Sequence, residues 1–309
     1  MLGHSNMKWP NIKHLHYLLM LHEEQHFHRA AKRCFISQST LSAAVQNLEE
    51  QCGNQILERD NKQFVFTSFG LDLVQQAKLL VEHASEFTQF AQTGGDWRRS
   101  VVKIGVIPTI APFVFNDILH ATQEQYPDLR LLLSEDTSAN LVAQLQDGRL
   151  DAVLLALPYP TPNCKQLTLG QDPFHLVGHP EQLENLPIPF DYSALPKDSV
   201  YLLQAEHCMT DHAVSACQIA YKEQVNSLSA SSIYTLLQMA QHHHGFTFIP
   251  ELAKRQGILD NTPLTTLPSD GSAYREIALV WRKTSQRSAL FTSLAALITP
   301  FIPVPAEQK

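Results

Sequence analysis

Two thiols offer the clearest chemistry in this chain. Cys208 and Cys217 stand nine positions apart in the run Glu206-His207-Cys208-Met209-Thr210-Asp211-His212-Ala213-Val214-Ser215-Ala216-Cys217, with a histidine directly before the first. From Ala213 onward the residues Ala213, Val214, Cys217, Ala220 and Tyr221 recur at helical spacing, so Cys217 is expected to face a core. Thr210 or Asp211 is placed to cap that helix, which leaves Cys208 just ahead of its N-terminus. Amide donors and the positive end of a helix dipole favour an anionic sulfur there. Cys208 is thus the candidate reactive thiolate and Cys217 its buried partner. Nine residues of helix hold two Cα atoms about 13 Å apart, whereas a disulfide needs them within about 7 Å. Bridging therefore requires the segment to leave its helical form, and oxidation would select between two conformations. The bland alternative is that both are small buried hydrophobes, as most free cysteines are.

Bulk properties narrow the setting. The 309 residues suffice for two or more domains. Apolar and charged fractions of 44% and 17% are those of a globular protein. A net charge of −7 argues against coating nucleic acid wholesale, though a small local DNA contact stays open. No export signal is visible in residues 1–10, and no apolar run approaches the ~20 residues of a membrane span. Five scattered cysteines then fit a reducing cytoplasm, where an oxidised pair would be sensing or catalytic.

The elements that must position the thiols follow from the patterning. Residues 11–70 read as a compact helical unit ending in a β-hairpin wing. Its third helix is capped by Ser37, stopped by Gly53, and carries a buried stripe of Leu41, Val45, Leu48 and Cys52. The opposite face holds Gln38, Ser39, Thr40, Ser42, Ala43, Gln46 and Asn47. Short side chains that donate and accept suit base edges and phosphates in a major groove better than a generic solvated face rich in Lys and Glu. Arg59 and Lys62 on the wing are candidate phosphate contacts.

Residues 71–95 read as a linker helix with a 3–4 repeat of Val74, Ala77, Val81, Ala84, Thr88 and Ala91. A seam this small suits close pairing with a second copy; packing on its own domain is the alternative. Beyond Gly94-Gly95 a β-α-β-α-β run to Leu157 implies a parallel sheet with right-handed crossovers. Ligands of such sheets sit beyond the C-terminal strand ends, where Thr109 and the pair Thr137/Ser138 fall. A proline-rich interval precedes a second α/β portion, and a terminal helix can return to the first, making a hinged cleft.

Taken together, Ala30-Ala31, Ser37-Gln38-Ser39-Thr40-Leu41-Ser42, Leu48-Glu49, Gly53, Leu57-Glu58-Arg59, Thr67 and Gly70 resemble the LysR-type transcriptional regulators. The resemblance extends over essentially the whole chain. It implies a winged helix-turn-helix at 11–70, a dimerising linker helix at 71–95 and a two-subdomain, periplasmic-binding-protein-like α/β regulatory domain at 100–305. Subdomain I would span about 100–170 and 275–305, and subdomain II about 171–274. Double-stranded operator DNA, RNA polymerase and further copies of the chain, as a dimer of dimers, are the implied partners.

Within that family, Ile107-Pro108-Thr109, Ala143-Gln144-Leu145, Leu150-Asp151, His207-Cys208, Asp211 and Cys217 are similar to the hydrogen-peroxide sensors. That likeness implies a peroxide effector, Cys208 as the reacting thiol, Cys217 as the resolving one, and no cofactor. Thr109, His207, Asp211 and Arg275 would belong to the peroxide pocket, with Thr137 or Ser138 supplying a second hydroxyl. Two departures stand out. Thr210 occupies the place of an arginine, and Glu206 that of a glycine, adding a negative charge expected to raise the Cys208 pKa.

Two rival functions use the same residues differently. One is a regulator of this architecture gated by a metabolite in the cleft, with the cysteines as bystanders. The other is a thiol peroxidase, disfavoured because a winged helix serves no catalysis and no Pro-x-x-x-Thr-x-x-Cys context surrounds Cys208. The His242-His243-His244 run makes a poor metal site: neighbouring rings point apart and no carboxylate orients an i,i+4 pair.

Overall fold

The computed structural model describes residues 9–59, 63–187, 190–219, 221–267 and 272–303. The chain divides into two compact units, 1–95 and 96–309.

In the first unit α1 (Ile12–Glu24), α2 (Phe27–Arg33) and α3 (Gln38–Cys52) precede a hairpin of β1 (Leu57–Arg59) and β2 (Phe64–Phe66), and then α4 (Ser68–Thr93). Leu15, Leu18 and Leu21 of α1 meet Ala30 and Ala31 of α2 and Leu41, Val45 and Leu48 of α3 in one core. Alanines on α2 let the helices approach closely. Ser37 caps α3 by accepting from the Thr40 amide, and Gly53 ends it at φ 66, a left-handed conformation that favours glycine. Glu49 of α3 accepts the Ile56 and Leu57 amides, fixing the entry to the wing.

The second unit opens with β3 (Val101–Val106), α5 (Ala111–Gln125), β4 (Arg130–Glu135), α6 (Ser138–Gln146) and β5 (Ala152–Leu157), as the alternating pattern predicts. β3 pairs in parallel with both β4 and β5. There follow β6 (Cys164–Gly178), α7 (Pro180–Glu184), β7 (Val200–Leu203), α8 (Cys208–Ala216), α9 (Tyr221–Gln224), β8 (Val225–Ala230) and α10 (Ile233–His243). The chain closes with β9 (Thr247–Pro250), α11 (Glu251–Arg255), β10 (Thr265–Thr266), β11 (Tyr274–Arg282) and α12 (Ser288–Ile298). The sheet order is β10-β6-β11-β5-β3-β4, with β9 also on β6, while β7 and β8 form a separate parallel pair.

The 15-residue β6 departs from the expected proline-rich interval. Its first two thirds pair with β11 and its last third with β9 and β10, so one strand runs unbroken through the expected subdomain boundary near residue 171. β11 lies antiparallel between β5 and β6, and its start brings Tyr274 and Arg275 to the end of β5. The expected boundary at 305 falls outside the described residues.

Candidate redox site and DNA-reading helix

The cysteine helix begins earlier than its periodicity predicts. α8 starts at Cys208, His207 is the N-cap, and the helix ends at Cys217 instead of running on from Ala213. Thr210 and Asp211 therefore cap nothing. Thr210 is buried, and its hydroxyl donates to the Leu203 carbonyl at 2.8 Å, tying α8 to β7. Cys208 and Cys217 are both buried free thiols at opposite ends of α8. The rise of a helix separates their Cα atoms by about 13 Å.

Cys208 is reached from three directions. The Ser138 hydroxyl, at the first position of α6, hydrogen-bonds its sulfur. The Arg275 guanidinium acts on it by charge, and so, with opposite sign, does the Asp211 carboxylate. Burial pushes the thiol up; the Ser138 bond, Arg275 and a backbone amide at the helix start pull it back without cancelling the rise. Of the two candidate hydroxyls it is Ser138 that meets the thiol. Thr137 is the N-cap of α6, makes no side-chain cap bond, and its amide donates to Asp136. The carboxylate that acts on Cys208 is Asp211, contrary to the expectation for Glu206, whose side chain is largely exposed and lies 3.9 Å from His207 Nε2.

Arg275 is fully buried on β11, and it is held by a residue the sequence reading missed. Asp172 of β6 accepts Nε at 3.0 Å and Nη2 at 2.9 Å through one oxygen, and its other oxygen accepts the Leu252 amide at 3.0 Å. Nη1 of Arg275 donates to Thr109 Oγ1 at 2.7 Å, and Nη2 to the Thr109 carbonyl at 3.0 Å. Among the described residues four of the five guanidinium donors are thus used, leaving one N–H on Nη1. Because the Thr109 oxygen accepts from Arg275, its own proton is free to point elsewhere. One signal for Asp172 was present: a carboxylate in Leu-Gly-Gln-Asp-Pro-Phe, ahead of an apolar stretch, needs a cation if buried.

His207 is buried, and its Nε2 has no hydrogen-bond partner among the described residues. His212, one helical turn from Cys208, places Nε2 at 3.0 Å from the Pro158 carbonyl. Cys217 hydrogen-bonds Tyr192, yet burial dominates and its thiol is pushed up to about 12. At pH 7 such a group is ionised in about one molecule in 10⁵. While α8 is intact, Cys217 is thus a buried, protonated thiol held a helix length from Cys208. Cys164 is the buried first residue of β6, where a loop was expected, and its thiol donates to the Pro162 carbonyl.

In the first unit Gln38, Ser39, Thr40 and Gln46 are exposed along α3, with Ser42 half-buried. Ser37 is engaged as the cap and also lies 2.8 Å from the hydroxyls of both Ser39 and Thr40. Phe35, just before α3, is 95% exposed. Arg59 lies on β1, and neither its side chain nor Lys62 is among the described features. Ser37→Ala should destabilise this unit by about 1 kcal/mol through loss of the cap; a urea midpoint equal to that of the parent would contradict the assignment.

The expected dimer seam is corrected in part. Val74 and Ala77 are buried against α1 of their own unit, and Val81 is partly so. Ala84 is half-buried, and Thr88 and Ala91 are exposed. The large apolar side chains left uncovered on this helix include Leu80, Phe87 and Phe90, of which Leu80 and Phe87 lie one heptad apart.

Comparison with known proteins agrees with this architecture. Residues 12–71 match the bacterial regulatory helix-turn-helix protein family of LysR type, and residues 96–301 match the LysR substrate binding domain. The transcriptional regulator EstR of Acinetobacter baylyi is 33% identical over 283 residues, 91% of this chain and 94% of its own. The DNA-binding transcriptional dual regulator OxyR of Escherichia coli is 31% identical over 297 residues, covering 93% and 94%. The reduced regulatory domain of OxyR2 from Vibrio vulnificus is 43% identical with a TM-score of 0.64, covering 67% of this chain and 98% of that one. No described helix is long and apolar enough to cross a membrane. The chain belongs to the LysR-type transcriptional regulators, with strong homology to OxyR.

Proposed function

We propose that this regulator senses hydrogen peroxide through Cys208 and reports it to operator DNA through a Cys208–Cys217 disulfide. The observation that carries the reading is the convergence of Ser138, Arg275 and the start of α8 on a buried thiol whose partner sits at the far end of the same helix. Ser138 and Arg275 stabilise the thiolate. The Thr109 proton and the remaining Arg275 N–H are donors for a peroxide beside it. The thiolate forms a bond to one peroxide oxygen, the O–O bond breaks, and hydroxide leaves with a proton from solvent. The product is a sulfenic acid. The Cys217 thiol then displaces water from that sulfur, forming the disulfide, and α8 must unwind for the two to meet.

The exposed face of α3 reads the major groove, and a second copy packs on the Leu80–Phe87 stripe of α4, as a symmetric operator requires. RNA polymerase recruitment and a dimer of dimers belong to the same reading.

The test is a footprint on DNA selected by the protein from a random library. Peroxide should shift the wild-type footprint and leave that of Cys208→Ser unmoved. A second reading, a metabolite-gated regulator with bystander cysteines, is favoured by the cavity beside Cys208. It predicts a footprint indifferent to peroxide in both proteins.

A further inference from the structure

Cys208 lines a cavity of about 940 Å³ that the reaction above does not use. Pro158, Tyr159 and Pro160 beyond β5 and Tyr274 at the start of β11 supply its rings, and Asp211 and Glu276 its carboxylates. Thr109, Ser138 and Arg275 are not among its walls, so it gives the thiol a second approach. Hydrogen peroxide occupies about the space of two waters, roughly 60 Å³. The cavity is of the size that holds small organic molecules, about 300–1,000 Å³. Its proline and tyrosine rings suit an apolar group. Two carboxylates with no Lys or Arg among the described lining residues disfavour an anion such as a fatty-acid hydroperoxide.

We propose that this cavity receives the organic part of neutral hydroperoxides, R–O–OH with R a branched alkyl or arylalkyl group, and presents their terminal oxygen to Cys208. The proposal rests on the peroxide reading and extends its oxidants. The thiolate lone pair forms an S–O bond to the terminal oxygen and the O–O bond breaks. The sulfur is oxidised by two electrons to a sulfenic acid, and the hydroperoxide is reduced to an alkoxide that takes up a proton as the alcohol. Tyr159 offers that proton from the cavity wall and recovers one from water. Its phenol lies within electrostatic range of Cys208, and burial holds it in the protonated form.

The experiment measures thiol oxidation in the reduced full-length protein by stopped flow, with hydrogen peroxide and with cumene hydroperoxide. Rate constants within about tenfold of each other are expected. Ser215→Trp, on the exposed face of α8 and lining the cavity, should slow cumene hydroperoxide by about tenfold or more through steric exclusion and change the hydrogen-peroxide rate by less than about threefold. Oxidation by hydrogen peroxide with cumene hydroperoxide more than about tenfold slower would overturn the proposal alone. So would a Ser215→Trp effect equal for both oxidants. Oxidation by neither would sink the peroxide reading itself.

Discussion

Asp172→Ala will destabilise the regulatory unit by about 3–5 kcal/mol, the cost of stranding a buried guanidinium without its counter-charge. Both side chains are fully buried, and the carboxylate joins three structures: Arg275 on β11, the amide of Leu252 in α11, and, through Arg275, the Thr109 loop. Removing it leaves a cation that nothing else among its recorded partners neutralises. Urea unfolding followed by tryptophan fluorescence reads the loss, since Trp97 and Trp281 both lie in this unit. The double change Asp172→Leu with Arg275→Met should recover most of the stability, because well-packed apolar pairs replace buried ion pairs at little cost. It should not recover the peroxide response. A loss below about 1 kcal/mol in Asp172→Ala would show that water reaches the guanidinium and that the pair is not a fixed buried element.

Cys217→Ser separates the two chemical steps. With the resolving thiol gone, the sulfenic acid at Cys208 has no internal partner, and dimedone trapping should rise by about tenfold or more over wild type after one equivalent of peroxide. The DNA footprint should stay that of the reduced protein, because α8 is never pulled apart. The expectation rests on the burial of Cys217, its thiol at about 12, and the length of helix between the sulfurs. A peroxide-shifted footprint in Cys217→Ser would mean that Cys208 oxidation alone changes the conformation.

Much of this architecture was legible because local chemistry decides it. Ser37 and Gly53 bracket α3 by a cap and a left-handed stop, and the strand–helix alternation from Val101 to Leu157 needs no distant partner. Elements set by tertiary contacts were not legible. β6 passes through Gly170, Asp172 and Pro173, residues that argue locally against a strand, and exists because β11 and β9 pair with it. α8 begins at Cys208 with no side-chain cap, its first turn fixed by the Thr210 bond to β7, so apolar periodicity alone placed it too late.

The candidate site divides the same way. Cys208 and Cys217 were found by type and spacing, and Thr109 by its place at a strand end. Choosing Ser138 over Thr137 needed the position of α6 relative to α8. Asp172 needed the pairing of β6 with β11, which puts it opposite Arg275 across 103 residues of sequence. On α4, the alanine-rich repeat does not mark one free seam: Val74 and Ala77 close the first unit's own core, while Leu80 and Phe87, outside that repeat, are large apolar side chains left exposed.

The central claim is that oxidation joins two thiols that the reduced fold holds at opposite ends of one helix. Disulfide mapping of the full-length protein after one equivalent of hydrogen peroxide tests it most directly, with all five cysteines alkylated before digestion. The account predicts a single linked peptide pair, Cys208 with Cys217, together with protease sensitivity appearing within 208–217. Oxidation that leaves Cys208 and Cys217 unlinked, or links them with the helix still protected, would contradict it.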